Sequence, residues 1–106
     1  MNQRKETLTQ HLQELAAAYV SLNSNRTSLI TITNTKLTDH NGKVTFYVSV
    51  FPEEAEGPAI GFLMRNRGEC KQYIKEKSRL NSVPHVEFAL DEGEKNRQRV
   101  DELLVD

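Results

Sequence analysis

The chain has 106 residues, 37% of them hydrophobic and 27% charged, with 14 lysines and arginines against 15 acidic residues. This length suits one modest hydrophobic core, so residues 1–106 are expected to form a single domain. The composition is too apolar for disorder, and no stretch approaches the roughly eighteen consecutive apolar residues of a membrane span. The lone cysteine, Cys70, excludes an internal disulfide and a cysteine-rich metal cage, and suits a reducing, cytoplasmic setting.

Leu8, Leu12, Leu15, Tyr19 and Leu22 recur at steps of four and three, which predicts an amphipathic helix over residues 3–22 with these side chains on its buried stripe. The same interrupted spacing argues against a secretory signal, whose apolar core is continuous. "NSNRTS" then ends the helix with small polar residues that compete for backbone hydrogen bonds. Ile30 and Ile32 alternate with Thr31 and Thr33, and Val44, Phe46, Val48 and Val50 alternate with Thr45, Tyr47 and Ser49, the period of half-buried strands. Between these runs, Asn41 and Gly42 can take the positive φ angles of a tight hairpin.

"PEEAEGP" gathers acidic residues and Pro58 at a helix start, after which Ile60, Leu63 and Met64 share a face. A further helix is expected beyond Gly68, its apolar side marked by Cys70, Tyr73 and Ile74 and its end near Arg79. Val86, Phe88 and Leu90 alternate with His85, Glu87 and Ala89 after Pro84, which predicts a third strand. Val100, Leu103 and Leu104 suggest a short closing helix. The order α-β-β-α-α-β-α favours a three-stranded sheet with helices packed on one face.

Gly68 stands where the second and third helices meet. An interior glycine costs a helix roughly 1 kcal/mol relative to alanine, so its presence there predicts a hinge that needs glycine's freedom or its missing side chain. Charge is segregated around it. Residues 65–79 hold Arg65, Arg67, Lys71, Lys75, Lys77 and Arg79 against Glu69 and Glu76, a local balance of +4 that leaves −5 on the remaining chain. Arg67, Lys71, Lys75 and Arg79 lie four apart, so at roughly 100° per residue they form a drifting row over about 120° of the third helix. The row contains three like-charge pairs, each costing roughly 0.2–0.5 kcal/mol in an isolated helix. A solvated, lysine-rich face is the ordinary explanation of such a run. Its combination with an exposed helix start and a glycine that permits close backbone approach points instead to the phosphates of a nucleic acid.

No catalytic constellation emerges. His11, His40 and His85 fall on a helix, in a turn and on a strand without metal-ligand spacing, and Cys70 sits on an apolar face. "GKVT" lacks the upstream glycine and following helix of a phosphate loop. The acidic residues of "PEEAE" and "LDEGE" are explained by a helix start and a turn. Tyr47 reads as a half-buried strand residue, with base stacking a second reading. No enzymatic activity, metal, cofactor, membrane or small-molecule substrate is expected.

"SLITITNTKLTDHNGKVTFYVSVFP", "LMRNRGECKQYIKEKSRLNSVPHVEFALDEG" and "RQRVDELL" resemble, in order and spacing, the bacterial ribosome-binding factor A family across about residues 4–105. The resemblance implies an α+β, type II KH-like fold in which an Ala-x-Gly helix-kink-helix replaces the Gly-x-x-Gly loop of ordinary KH domains. In this chain the kink falls on Asn66, Arg67 and Gly68. Asn66 occupies the family's alanine position, and asparagine is a good N-cap, so a true helix break is expected. The resemblance further implies a non-enzymatic protein that binds the immature small (30S) ribosomal subunit, assists maturation of its 16S rRNA and serves in cold adaptation. A cytoplasmic monomer is expected, with Arg65, Asn66, Arg67, Gly68, Lys71, Lys75, Lys77 and Arg79 as RNA-binding residues. The alternative is a protein-interaction or regulatory module on the same scaffold, using the acidic remainder or the exposed sheet face, since a fold alone does not fix a function.

Overall fold

A computed structural model of the chain describes residues 3–24 and 27–93. Helix α1 (Gln3–Asn23) leads into strands β1 (Leu29–Leu37) and β2 (Lys43–Phe51). A single 3-10 turn (Glu53–Ala55) precedes helix α2 (Glu56–Arg65), helix α3 (Arg67–Lys77) and strand β3 (His85–Leu90). The expected order holds through β3, and the closing helix expected around Val100, Leu103 and Leu104 lies outside the described residues. Among the described residues, no helix is long and apolar enough to cross a membrane.

The sheet has the order β1-β2-β3, with β1 antiparallel and β3 parallel to β2. Val44, Phe46, Val48 and Val50 face the helices, and the intervening Thr45, Tyr47 and Ser49 are half-buried on the other side. On β1, Ile30 and Ile32 oppose Val50 and Val48, but Thr35 and Leu37 oppose Phe46 and Val44. The register slips between Ile32 and Asn34, where a bulge at Thr33 reverses which parity points inward. The threonine hydroxyl donates to the Asp91 carboxylate just beyond β3, which ties the bulge to the far side of the sheet.

Leu12, Ala16, Tyr19 and Val20 of α1, Ala59 and Leu63 of α2, and Cys70 and Ile74 of α3 close over this face. Phe46 and Phe88, partners across the parallel pair, place their ring centroids 5.7 Å apart at its centre. Leu22 departs from the expected stripe: it is 72% exposed in the last turn of α1, and Ala16 and Val20 take the buried positions. A polar contact also pins α1 to the sheet. The buried Thr35 hydroxyl donates to Gln13 Oε1 at 2.6 Å, so neither group is left unsatisfied.

The hairpin places its left-handed residue at Asn41, with φ 56°, and no glycine among the described residues has positive φ. Asn41 N–H donates to Thr38 O at 2.9 Å, and Thr38 Oγ1 accepts from the Gly42 and Lys43 amides at 3.0 and 3.1 Å. After glycine, asparagine is among the residues that adopt this conformation most readily. Truncating the central ring tests the packing: Phe46→Ala is expected to lower unfolding free energy by about 3–5 kcal/mol in urea titrations, as lost transfer energy plus a cavity.

Candidate nucleic-acid interface

One residue separates α2 from α3. Asn66 has φ −105° and ψ 13°, in the bridge region between helical and extended backbone. Its N–H is shared between Phe62 O at 3.1 Å and Leu63 O at 3.2 Å, and its side-chain Nδ2 donates to Phe62 O at 2.8 Å. The side chain therefore reaches back to close α2. The expected N-cap on α3 is absent: the Asn66 side chain makes no bond to the first amides of that helix. Cys70 N–H makes the first bond of α3, to Asn66 O at 2.9 Å, so the amides of Arg67, Gly68 and Glu69 have no partner inside the helix.

Gly68 is exposed in ordinary helical backbone, and a methyl group added there meets nothing within 4 Å. The hinge expected at Gly68 is thus formed by Asn66, and nothing within the described chain requires glycine at 68. Its missing side chain leaves open surface beside the free amides.

The expected site residues separate into three groups. Arg67, Lys71 and Lys75 share one side of α3 as anticipated. Lys71 and Lys75 are exposed and, among the described residues, pair with no acidic side chain. Arg67 is half-buried, with Nη1 3.4 Å from Met64 O, so it also serves the end of α2. Lys77 lies elsewhere on the helix, its Nζ 5.8 Å from the Tyr73 ring centroid. The helix ends at Lys77 and Ser78 is extended, with φ −109° and ψ 172°, so Arg79 lies past the helix. Two like-charge pairs at four-residue spacing remain within α3. Arg65 goes another way: it folds back over Gly61 and lines a cleft of about 360 Å³ with Asn23, Ser24, Ile30, Ala59 and Phe62.

The helix dipole separates the cations further. Lys75 and Lys77 occupy the last turn, where positive charge is favourable. Arg67 and Lys71 lie toward the opposite end, where the dipole adds to their mutual repulsion, and an anion relieves both. Tyr47, the alternative stacking residue, is half-buried with Lys36 Nζ 5.7 Å from its ring centroid. Among the described residues no cluster of histidine, cysteine and acidic side chains could hold a metal ion.

Behind α3, burial pushes the Cys70 thiol up from 9.0 to about 12, which keeps it protonated and unreactive. Tyr19 rises from 10.0 to about 12, through burial first and then the nearby Glu69 carboxylate. Both groups become anionic on losing a proton, and the folded state disfavours that anion. Their stabilising contribution is complete below about pH 9 and disappears as the pH rises toward about 12, so unfolding free energy from urea titrations is expected to fall through this window. Gly68→Ala is expected to raise the stability of the free protein by about 0.5–1 kcal/mol, read as a higher urea midpoint, since the added methyl meets only solvent.

A family model described as Ribosome-binding factor A matches residues 2–104. The chain is similar to ribosome-binding factor A of Coprothermobacter proteolyticus, 30% identical over 105 residues that cover 97% of this chain and 77% of that protein. Its fold is similar to the crystal structure of ribosome-binding factor A from Thermus thermophilus, with TM-score 0.74 and 22% identity over 81% of this chain and 93% of that one. A homology model of the Thermus thermophilus protein, fitted into a cryo-electron-microscopy map of its 30S complex, gives TM-score 0.68 and 21% identity, covering 78% and 90%. The α+β, KH-like arrangement that the resemblance implies is the one observed, and the chain belongs to the ribosome-binding factor A family.

Proposed function

We propose that this chain binds the immature small ribosomal subunit and assists maturation of its 16S rRNA, gripping RNA phosphates with the first turns of α3. The observation that carries this reading is the coincidence of three amides without helical partners, at Arg67, Gly68 and Glu69, with the cations Arg67 and Lys71 beside them. Amides supply directed donors and cations supply charge, a combination that suits phosphate oxygens and reads no base sequence. Lys75, Lys77 and Arg79 extend the positive field along and beyond the helix, while Gly68 lets the RNA backbone come close. Family membership supports the same partner, and the Thermus relative fitted into a 30S complex supplies a precedent.

Co-sedimentation of the purified chain with immature and mature small subunits tests the reading, with preference for the immature particle expected. If four cations each engage a phosphate, log affinity falls with log salt at a slope near −3, or about 60-fold between about 50 and 200 mM salt. Replacing Arg67, Lys71, Lys75 and Arg79 together with glutamine is expected to abolish binding, and salt-insensitive binding would overturn the mechanism. One observation favours a protein partner instead: Leu29 and Phe51 face each other across β1 and β2 on the open side of the sheet, 66% and 74% exposed. On that reading the glutamine variant binds normally, and Leu29→Ser with Phe51→Ser does not.

A further inference from the structure

Arg65 stands apart from the cations of α3, and the reason lies one turn back in α2. Gly61 is interior to that helix, where glycine weakens the structure. A Cβ added at Gly61 would lie 3.2 Å from Arg65 Nη1, and beyond its chain neighbours and the helix backbone it would meet nothing else within 4 Å. The missing side chain therefore makes room for one group, a guanidinium laid against the helix. Arg65 is exposed and, among the described residues, pairs with no acidic side chain.

The seated guanidinium borders the cleft of about 360 Å³ between the end of α1, the start of β1 and α2. That volume lies within the roughly 300–1,000 Å³ of small-ligand sites. Ile30, Ala55, Ala59 and Phe62 give the cleft apolar walls, while Asn23, Ser24 and Ser28 border it with polar groups. No acidic residue lines it. Apolar walls, a few polar groups and one uncommitted, fork-shaped cation suit a flat heterocycle that carries an anion.

We infer that this cleft takes one unpaired RNA nucleotide, its base between the apolar walls and its phosphate on Arg65. The inference rests on the phosphate-binding reading above and adds to it a choice between unpaired and duplex RNA, which phosphate contacts along α3 do not make. Only an unpaired nucleotide can turn its base out of a stack and into a cleft. Arg67 opens α3 two residues beyond Arg65, so a strand held along α3 continues across Asn66 to this site. An acidic peptide would also satisfy Arg65, but the cations that follow at Arg67, Lys71 and Lys75 match the repeating charge of a nucleic-acid backbone.

Photocrosslinking of the full chain to immature small subunits tests the occupant. Thr27→Cys places a thiol at the exposed rim of the cleft and Gln72→Cys places one on the exposed side of α3. Each is labelled with an aryl azide, and the fully buried Cys70 stays unlabelled. Both probes are expected to attach to rRNA, the Thr27 probe at a nucleotide that chemical probing finds unpaired. Two further variants read the site itself. Arg65→Gln removes the fork, and Gly61→Gln keeps the charge but fills the seat, so it separates a built site from a general positive field. Affinity is expected to fall about tenfold in Arg65→Gln and about fivefold in Gly61→Gln, with the Gln72 adduct on rRNA retained.

Attachment of the Thr27 probe to a ribosomal protein, or to a paired nucleotide, would overturn the inference. So would unchanged affinity in Gly61→Gln, since the cation would then act only through its charge. If the Gln72 probe attaches to rRNA and the Thr27 probe attaches to nothing, the cleft is no RNA site and the phosphate-binding reading stands. If neither probe reaches rRNA, that reading fails and the inference falls with it.

Discussion

Parallel pairing of β2 with β3 is the constraint around which the molecule is arranged. Lys43 lies opposite His85 and Val48 opposite Leu90, so the chain leaving β2 must travel back along the sheet before β3 begins. A parallel pair needs a crossover connection, and here α2 and α3 provide it. Both helices lay an apolar face on the same side, through Ala59 and Leu63 and through Cys70 and Ile74. The change of direction at Asn66 occurs inside a connection whose two ends are fixed by the sheet. The position of the free amides is thus anchored by strand pairing on either side.

That anchoring turns a local irregularity into surface chemistry. An exposed loop could present the same residues in many orientations, but Asn66 lies between helices whose buried faces leave little freedom. The cations follow from the same geometry. Arg67, Lys71 and Lys75 share a side of α3 because Cys70 and Ile74 occupy the core side, while Lys77 is drawn toward Tyr73. Phosphate binding requires only that donors and charge converge, and helical spacing brings them together without a dedicated pocket.

The layers were legible because hydrophobic alternation states directly which side chains must leave water. Val44, Phe46, Val48 and Val50 announced β2, and Val86 and Phe88 announced β3. What escaped depends on bonds between side chain and backbone. Gly68 is the unusual residue of the helical pattern, but the break lies at Asn66, whose bond to Phe62 O has no periodic signature. Gly42 likewise has the freedom expected of a left-handed residue, yet Asn41 holds that conformation with Thr38 as its local support. Arg79 continued the four-residue spacing perfectly well on paper. The spacing carried no information about Ser78, whose extended backbone ends the helix first. An asparagine between two helical patterns, with glycine two residues later, was the available clue to side-chain capping.

The bulge at Thr33 gives β1 two reading frames. Before it the inward letters are Ile30 and Ile32, and after it they are Thr35 and Leu37. Thr35 can bond Gln13 only in the second frame, and Ile32 can pack against the core only in the first. Were Thr33 paired as an ordinary ladder residue, the change would act as a frameshift in folded space: it would turn Thr35 and Leu37 toward solvent and bring Asn34 and Lys36 inward, while every residue of the strand stayed the same.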